Sequence, residues 1–438
     1  MSEALQGACA LDALEPCRIH RRETNGEGAS PSRSNGAKDD PAPQRPAQPP
    51  ASQDALWGAV ASMMLGVFGL VTAEFLPASL LTPMARDLGV TEGLTGQAVT
   101  ATATVALITS LLVVTLTRRI DRRVVLLAFS VLLIVSNLLV ASAASLASLI
   151  LGRVLLGMAL GGFWTMSAAT VMRLVPEGLV PRALSILFSG VSAATVFAAP
   201  FGSYVGDSAG WRAVFLMAAG LGVLALVVQF ATLPRMEPRG HARLRTLAEV
   251  LARPGIGVGM IAVTLVFTGH FAFFTYIRPF LETVTGVGVS TMSAILLGFG
   301  IANLLGTFLG GFLLERSLRL TLAAMPLLMG ALGLVLAGLG SAPFADTVLI
   351  ALWGLAFGAV PVAWTAWITR AVPDETESGG ALIVAVVQLA IAMGAAGGGV
   401  IFDINGATGV FIAAGLVLLL AVLPILAGVR ARQVAVAA

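Results

Sequence analysis

The run Leu56-Trp-Gly-Ala-Val-Ala-Ser-Met-Met-Leu-Gly-Val-Phe-Gly-Leu-Val-Thr-Ala-Glu74-Phe-Leu-Pro77 decides how the rest of the chain is read. It stays apolar beyond Pro77, and Glu74 is its only ionisable group between Leu56 and Thr82. About 20 consecutive apolar residues suffice to cross a bilayer as a helix. A charged side chain within such a segment costs roughly 2.5–3.5 kcal/mol on insertion scales, so it normally faces a cavity, a partner or a proton path. The other reading puts the carboxyl near enough to a helix end to reach headgroup water. The residues from Pro77 to Thr82 carry the segment past Glu74 and favour the first reading.

The same character extends over most of the chain. Of its 438 residues 57% are hydrophobic and only 11% charged, with a mean hydropathy of +0.92. A water-facing globular surface needs roughly a quarter of residues charged, so the class is an all-α, polytopic membrane protein. With 26 basic against 23 acidic residues, the balance gives no reason to expect nucleic acid as a partner. Cys9 and Cys17 both lie near the N-terminus, which excludes a disulfide framework within the spans. His20, His241 and His270 are too scattered for a zinc centre. An intramembrane enzyme is disfavoured because no paired metal ligands or nucleophile–base set stand out.

Residues 1–53 are rich in Pro, Ala, Ser and Gly, a composition that predicts a disordered, solvated tail without a signal-peptide core. Apolar segments follow at 56–80, 94–116, 124–141, 146–172, 183–205 and 211–233. After a polar linker at 234–254 come 255–281, 292–314, 320–339, 347–369, 380–402 and 410–429. The expectation is twelve spans in two six-helix halves, 54–233 and 255–438. If both termini are cytoplasmic, the inner loops and C-terminus hold sixteen arginines and the outer loops only Arg86 and Arg212. That bias sets the orientation. The turn after the second span, Asp121-Arg122-Arg123, is echoed after the eighth by Glu315-Arg316. Recurrence half a chain apart suits parallel six-helix repeats with a site between them, a common transporter plan.

Arg153 lies in the fourth span among Gly152, Gly157, Gly161 and Gly162, whose spacing permits close helix approach. A guanidinium does not deprotonate, so at this depth it needs an anion, carbonyls or water. Counted from the span ends, Glu74 and Arg153 share a depth within a few ångströms at about 1.5 Å per residue. We expect Glu74 to take part in proton coupling, with Arg153 biasing its proton affinity; a static structural pair is the alternative. In the seventh span His270 is the only intramembrane histidine, able to exchange a proton or bind a ligand. Phe271, Phe273, Phe274 and Tyr276 follow it and suit either a flat substrate or helix packing, while Arg278 suits snorkelling to the interface. Asn303 and Gln388 are the better ligand contacts among the polar residues near mid-span. Trp353 reads as an interfacial anchor, and Trp364, close to Pro361, as a cavity wall. Gly190, Pro200 and Gly202 in the fifth span suit a helix that bends during gating.

These residues resemble the major facilitator superfamily in its twelve-span drug:proton antiporter branch. The resemblance rests on Asp121-Arg122-Arg123, on Arg153 with its glycines, and on the Gly190…Pro200 pattern. The first of these is degenerate, with Thr117 where the family has glycine; the Gly311…Glu315-Arg316 copy is nearer. Glu74-Phe-Leu-Pro-Ala-Ser, Gly161-Gly-Phe-Trp-Thr-Met, Phe271-Ala-Phe-Phe-Thr-Tyr and Trp364-Thr-Ala-Trp-Ile-Thr-Arg370 are similar to the purine ribonucleoside exporters of that branch. His270 departs from the glutamine expected there. The resemblance implies proton-driven efflux of nucleosides such as inosine or guanosine by a monomer in a bacterial inner membrane. No cofactor is expected, only the proton gradient, nucleoside, protons and lipid. From the residues themselves, proton coupling is expected at Glu74, Arg153 and His270. Substrate contact would fall to His270, Phe274, Tyr276, Asn303, Trp364 and Gln388. Asp121, Arg122, Glu315 and Arg316 would latch one access state by charge pairing. Export of arabinose-like sugars or amphipathic drugs is the alternative, and a non-transporting sensor a more distant one.

Overall fold

Helices start and stop where local chemistry directs. In a computed structural model of the chain the described residues are 55–237, 244–339 and 342–428. The tail expected to be disordered and residues 238–243 of the linker lie outside them. The first half comprises α1 (Trp57–Leu88), α2 (Glu92–Leu116), α3 (Arg122–Ala141), α4 (Leu146–Leu174), α5 (Val180–Ala209) and α6 (Trp211–Thr232). Thr91 caps α2 by accepting from Leu94 N–H at 3.1 Å, and Asp121 caps α3 by accepting from Arg123 N–H at 2.7 Å. Ser145 and Ser148 form a reciprocal capping box at the start of α4.

A short linker helix, α7 (Leu244–Leu251), leads into α8 (Ile256–Thr275), α9 (Ile277–Thr283), α10 (Val289–Arg316), α11 (Leu318–Leu339), α12 (Pro343–Ala371) and α13 (Thr376–Gly428). Arg253, just past α7, grips Asp374 with two hydrogen bonds of 2.7 Å and so ties the linker to the α12–α13 turn. Eleven helices among the described residues are long and apolar enough to cross a membrane. The last holds two crossings, because Gly406 (φ 67°, ψ −169°) turns the chain between 376–405 and 407–428. The result is the twelve-span, two-half architecture expected.

The seventh span is not the single helix expected over 255–281. It breaks at Tyr276 (φ −107°, ψ 16°) into α8 and α9. The cause is Pro279, which has no N–H for the carbonyl of Thr275 four residues back and whose ring crowds it.

We name the two ends of the bundle by the ends of α1, the Trp57 face and the Leu88 face. Toward the Leu88 face α5 buries two sides, including Val196, Ala199, Gly202 and Ser203; toward the Trp57 face it buries a single stripe, Ala183, Leu187 and Gly190. The same change occurs along α10, from Met292, Ile295, Leu296, Phe299 and Gly300 to Gly306, Gly310 and Leu314 alone. In α2, burial thins from a nearly continuous stretch over 95–103 to Ala106 and Val113. These helices face the opposite half. Ala78, Leu81, Val99, Ala103 and Ala199 belong to the hydrophobic core of the second half. Thr91 bonds Asp403 at 3.1 Å and Ser203 approaches Met292 Sδ at 3.6 Å, both near the Leu88 face. The halves are therefore closed on one another at the Leu88 face and parted toward the Trp57 face.

Candidate functional site

Two prolines in α1 organise the centre of the bundle. Pro77 leaves the carbonyl of Ala73 without its helical N–H donor, and Pro83 does the same to Ser79. Each vacancy is filled by a buried arginine from another helix. Arg153 of α4, at 0% exposure, donates to Ala73 O at 2.8 Å and to Glu74 O at 3.3 Å. Arg278 of α9 donates to Ser79 O across the boundary between halves, with Nε on Glu282 at 2.8 Å. Arg278 thus does not snorkel to the interface: its carbonyl acceptor lies inside, and it is buried.

Arg153 and Glu74 meet as their depths predict, but through the backbone of α1. The Glu74 carboxyl is buried and its Oε1 has no hydrogen-bond partner. It borders a cleft of about 10 Å³ lined by Phe75 and Ala78 of α1, Val99 of α2, Phe271, Phe274 and Thr275 of α8, and Ile391 of α13. That space is at the lower limit for one water molecule, so a larger guest requires the halves to shift. Gln388 of α13 adjoins the carboxyl, and its own Oε1 is also unpartnered. Glu74 and Gln388 thus bring unused polar capacity from both halves to one place. Phe75 meets Phe274 edge-on at 5.3 Å and supplies the apolar wall.

His270 is buried in an aromatic box, stacked on Phe357 and Phe274 with Phe271 edge-on. Trp353 donates its indole N–H to His270 Nδ1 at 3.2 Å, which leaves Nε2 to carry the proton of the neutral ring. Trp353 is accordingly a buried core residue and not the interfacial anchor expected; its N–H found its partner inside, as a buried indole requires. Phe273 stacks on Trp353 at 3.8 Å, so of the four aromatic residues after His270 only Phe271 and Phe274 border the cleft.

Tyr276 sits where the span breaks, packed on Gly96 of α2 and Gly399 of α13, and donates to Ala395 O at 3.1 Å. Asn303 donates to Gly354 O at 3.4 Å, joining α10 to α12. Trp364 is 1% exposed, lies edge-on to Trp367 and is not among the residues lining the cleft. Glu74 and Phe274 line the cleft, Gln388 adjoins the Glu74 carboxyl, and Tyr276, Asn303 and Trp364 are engaged in helix packing. Gly190 and Gly202 are contact points for α1: a Cβ at Gly190 would stand 2.6 Å from Met64 O, and one at Gly202 2.5 Å from Ser79 Oγ. Pro200 is buried between them.

At the Trp57 face, Asp121 ties the first half to the start of the linker. Both carboxylate oxygens accept from Met236 N–H, at 3.2 and 3.1 Å, while Arg122 donates to Thr117 Oγ1 at 3.1 Å. Arg316 lies over the Phe312 ring at 4.9 Å, and both Glu315 and Arg316 are exposed. The Asp121 carboxylate is thus engaged by the backbone of the linker, while Glu315 and Arg316 stand exposed at their own turn.

Residues 63–395 match the profile of the Major Facilitator Superfamily. The purine ribonucleoside efflux pump NepI of Escherichia coli (strain K12) is 46% identical over 377 residues, covering 86% of this chain and 95% of that protein. Its namesake from Shigella dysenteriae serotype 1 (strain Sd197) is 46% identical over 376 residues with the same coverage. Among solved structures, a D-xylose-proton symporter superposes with a TM-score of 0.70 at 18% identity, covering 86% of this chain and 98% of the other. A bacterial homologue of the human lysosomal transporter Spinster, inward-facing and occupied, gives 0.66 at 15%, covering 85% and 95%. Identities this low speak for the fold alone. A profile spanning most of the crossings, relatives of nearly the same length and a shared bundle lead to one conclusion: the chain belongs to the Major Facilitator Superfamily.

Proposed function

We propose that this transporter exports purine ribonucleosides such as inosine and guanosine from the cytoplasm in exchange for protons, without making or breaking a covalent bond. The observation that carries the reading is the Glu74 carboxyl, buried between the halves with an unused oxygen beside Gln388 and aromatic rings. A carboxyl so placed offers one acceptor that either a proton or a substrate hydroxyl or N–H can use, and flat rings beside it suit a purine. The 46% identity to a purine ribonucleoside efflux pump over nearly its whole length supports the substrate class. The sixteen-to-two arginine bias supports a cytoplasmic Trp57 face in a bacterial inner membrane, which makes the present state open to the cytoplasm.

Inverted membrane vesicles with an acidic interior test this directly. Labelled inosine should accumulate against its gradient in the wild type. In Glu74→Gln, accumulation should fall to the level seen without a pH gradient while the protein still inserts. Arabinose and a cationic dye run alongside as rivals. Accumulation of only sugar or dye would discard the nucleoside assignment, and a pH-dependent Glu74→Gln variant would discard the coupling role.

A further inference from the structure

On the wall of the opening between the halves, two rings meet at the edge of the first half's core. Trp164 of α4 and Phe188 of α5 are stacked with centroids 6.0 Å apart and planes 25° from parallel. Trp164 is half-buried and Phe188 is 44% exposed. Both lie in the part of the bundle where the halves have separated.

The periodicity of α5 shows which way Phe188 looks. At about 100° per residue, the eleven residues from Phe188 to Ala199 bring the two within roughly 20° of the same face. Ala199 is buried in the core of the opposite half. Phe188 therefore lies on the stripe that meets the second half further along, here facing the gap. Phe197, by contrast, is nine residues on, about half a turn around, and is 58% exposed on the opposite face. Ser185 and Ser192 fall within roughly 60° of Phe188. Hydroxyls on an open face at this depth suit a water-filled vestibule better than lipid. Ser185 bonds only its own helix, donating to Pro181 O at 2.9 Å, and keeps lone pairs to offer. Phe188 lies eight residues into α5 and Glu74 seventeen into α1, so the stack stands roughly 13 Å nearer the Trp57 face than the carboxyl.

We infer that Trp164 and Phe188 form a stacking platform for the purine ring in the cytoplasmic vestibule, with Ser185 and Ser192 placed toward the ribose. The platform captures the base before it reaches Glu74. This rests on the nucleoside reading above and adds a subsite that sets affinity without taking part in proton exchange. Base–aromatic stacking is sequence-tolerant and strong enough that losing one ring should cost about tenfold in apparent affinity.

The test is the kinetics of inosine uptake into inverted vesicles under a fixed pH gradient. Phe188→Ala and Trp164→Leu should each raise KM about tenfold with Vmax nearly unchanged. Phe188→Tyr and Trp164→Phe, which keep a ring, should restore KM to within about twofold of wild type. Phe197→Ala, on the opposite face of the same helix, should leave KM unaltered. A wild type that carries inosine beside ring-less variants with unchanged KM would overturn the platform and leave the nucleoside reading standing. Lowered Vmax at constant KM would do the same, since it marks a packing role. A wild type that carries no purine nucleoside would remove both.

Discussion

A guanidinium with no access to water must be satisfied by acceptors, and Arg153 finds them in the backbone of α1 and not in the Glu74 carboxylate. Pro77 makes this possible, because it frees the Ala73 carbonyl that Arg153 takes. The consequence is a division of labour between neighbours. Arg153 fixes the position of α1 through backbone carbonyls, and one carboxylate oxygen of Glu74 is left without a partner. Removing Arg153 leaves a buried carbonyl unsatisfied, a penalty of about 1–3 kcal/mol. Arg153→Leu should therefore destabilise the fold by that order, read as a lower thermal midpoint in detergent, while Glu74→Gln should barely move it. Pro77→Ala returns an N–H to Ala73 and should shrink the loss caused by Arg153→Leu. Full additivity of the two substitutions would show that the proline vacancy does not explain the arginine.

At the scale of elements, α9 acts on α1 as α4 does, but from the other half. Arg278 fills the vacancy that Pro83 leaves at Ser79, and the Tyr276 ring at the base of α9 packs on Gly96 of α2. For the Leu88 face to open, both contacts must part. A hydrogen bond to a charged group contributes about 1.5–3 kcal/mol, so Arg278→Gln should shift the closed-to-open ratio about ten- to a hundredfold. The readout is labelling of Ala78→Cys in the cleft by an impermeant thiol reagent from the Leu88 side, with Cys9 and Cys17 replaced by Ser. Faster labelling in Arg278→Gln is the expected result; an unchanged rate would show that the contact does not hold the gate. The twelve crossings were legible in the sequence because apolar runs of bilayer length separated by arginines admit few other readings. Glu74, Arg153 and Gln388 were legible for a related reason: a polar group at hydrocarbon depth stands out against its neighbours. The break at Tyr276 and the inward partner of Arg278 were not, since each depends on a proline's effect on a carbonyl or on a helix about two hundred residues away in the chain. Phe75, Trp164, Phe188 and Phe357 were silent because an aromatic residue in an apolar run offers no contrast.

For the whole molecule, one pattern of burial fixes the state: the helices that face across the boundary bury two sides near the Leu88 face and one side near the Trp57 face. Two halves whose shared core lies toward the Leu88 face can rock about the cleft between them without unfolding either. Glu74 borders that cleft with one carboxylate oxygen unpartnered. Acidity on the Leu88 side should favour the opposite state, since a proton reaching Glu74 from there must find that face open. Spin labels at Ser185 and Gly311 report the Trp57 side, and labels at Asp207 and Thr291 report the Leu88 side. At neutral pH the first pair should be far apart and the second close. Acidification should add a population in which these distances are exchanged, and Glu74→Gln should no longer respond to pH in either pair. A pH response that survives in Glu74→Gln would move the proton switch elsewhere, with His270, the buried imidazole stacked on Phe274 of the cleft wall, the next group to substitute.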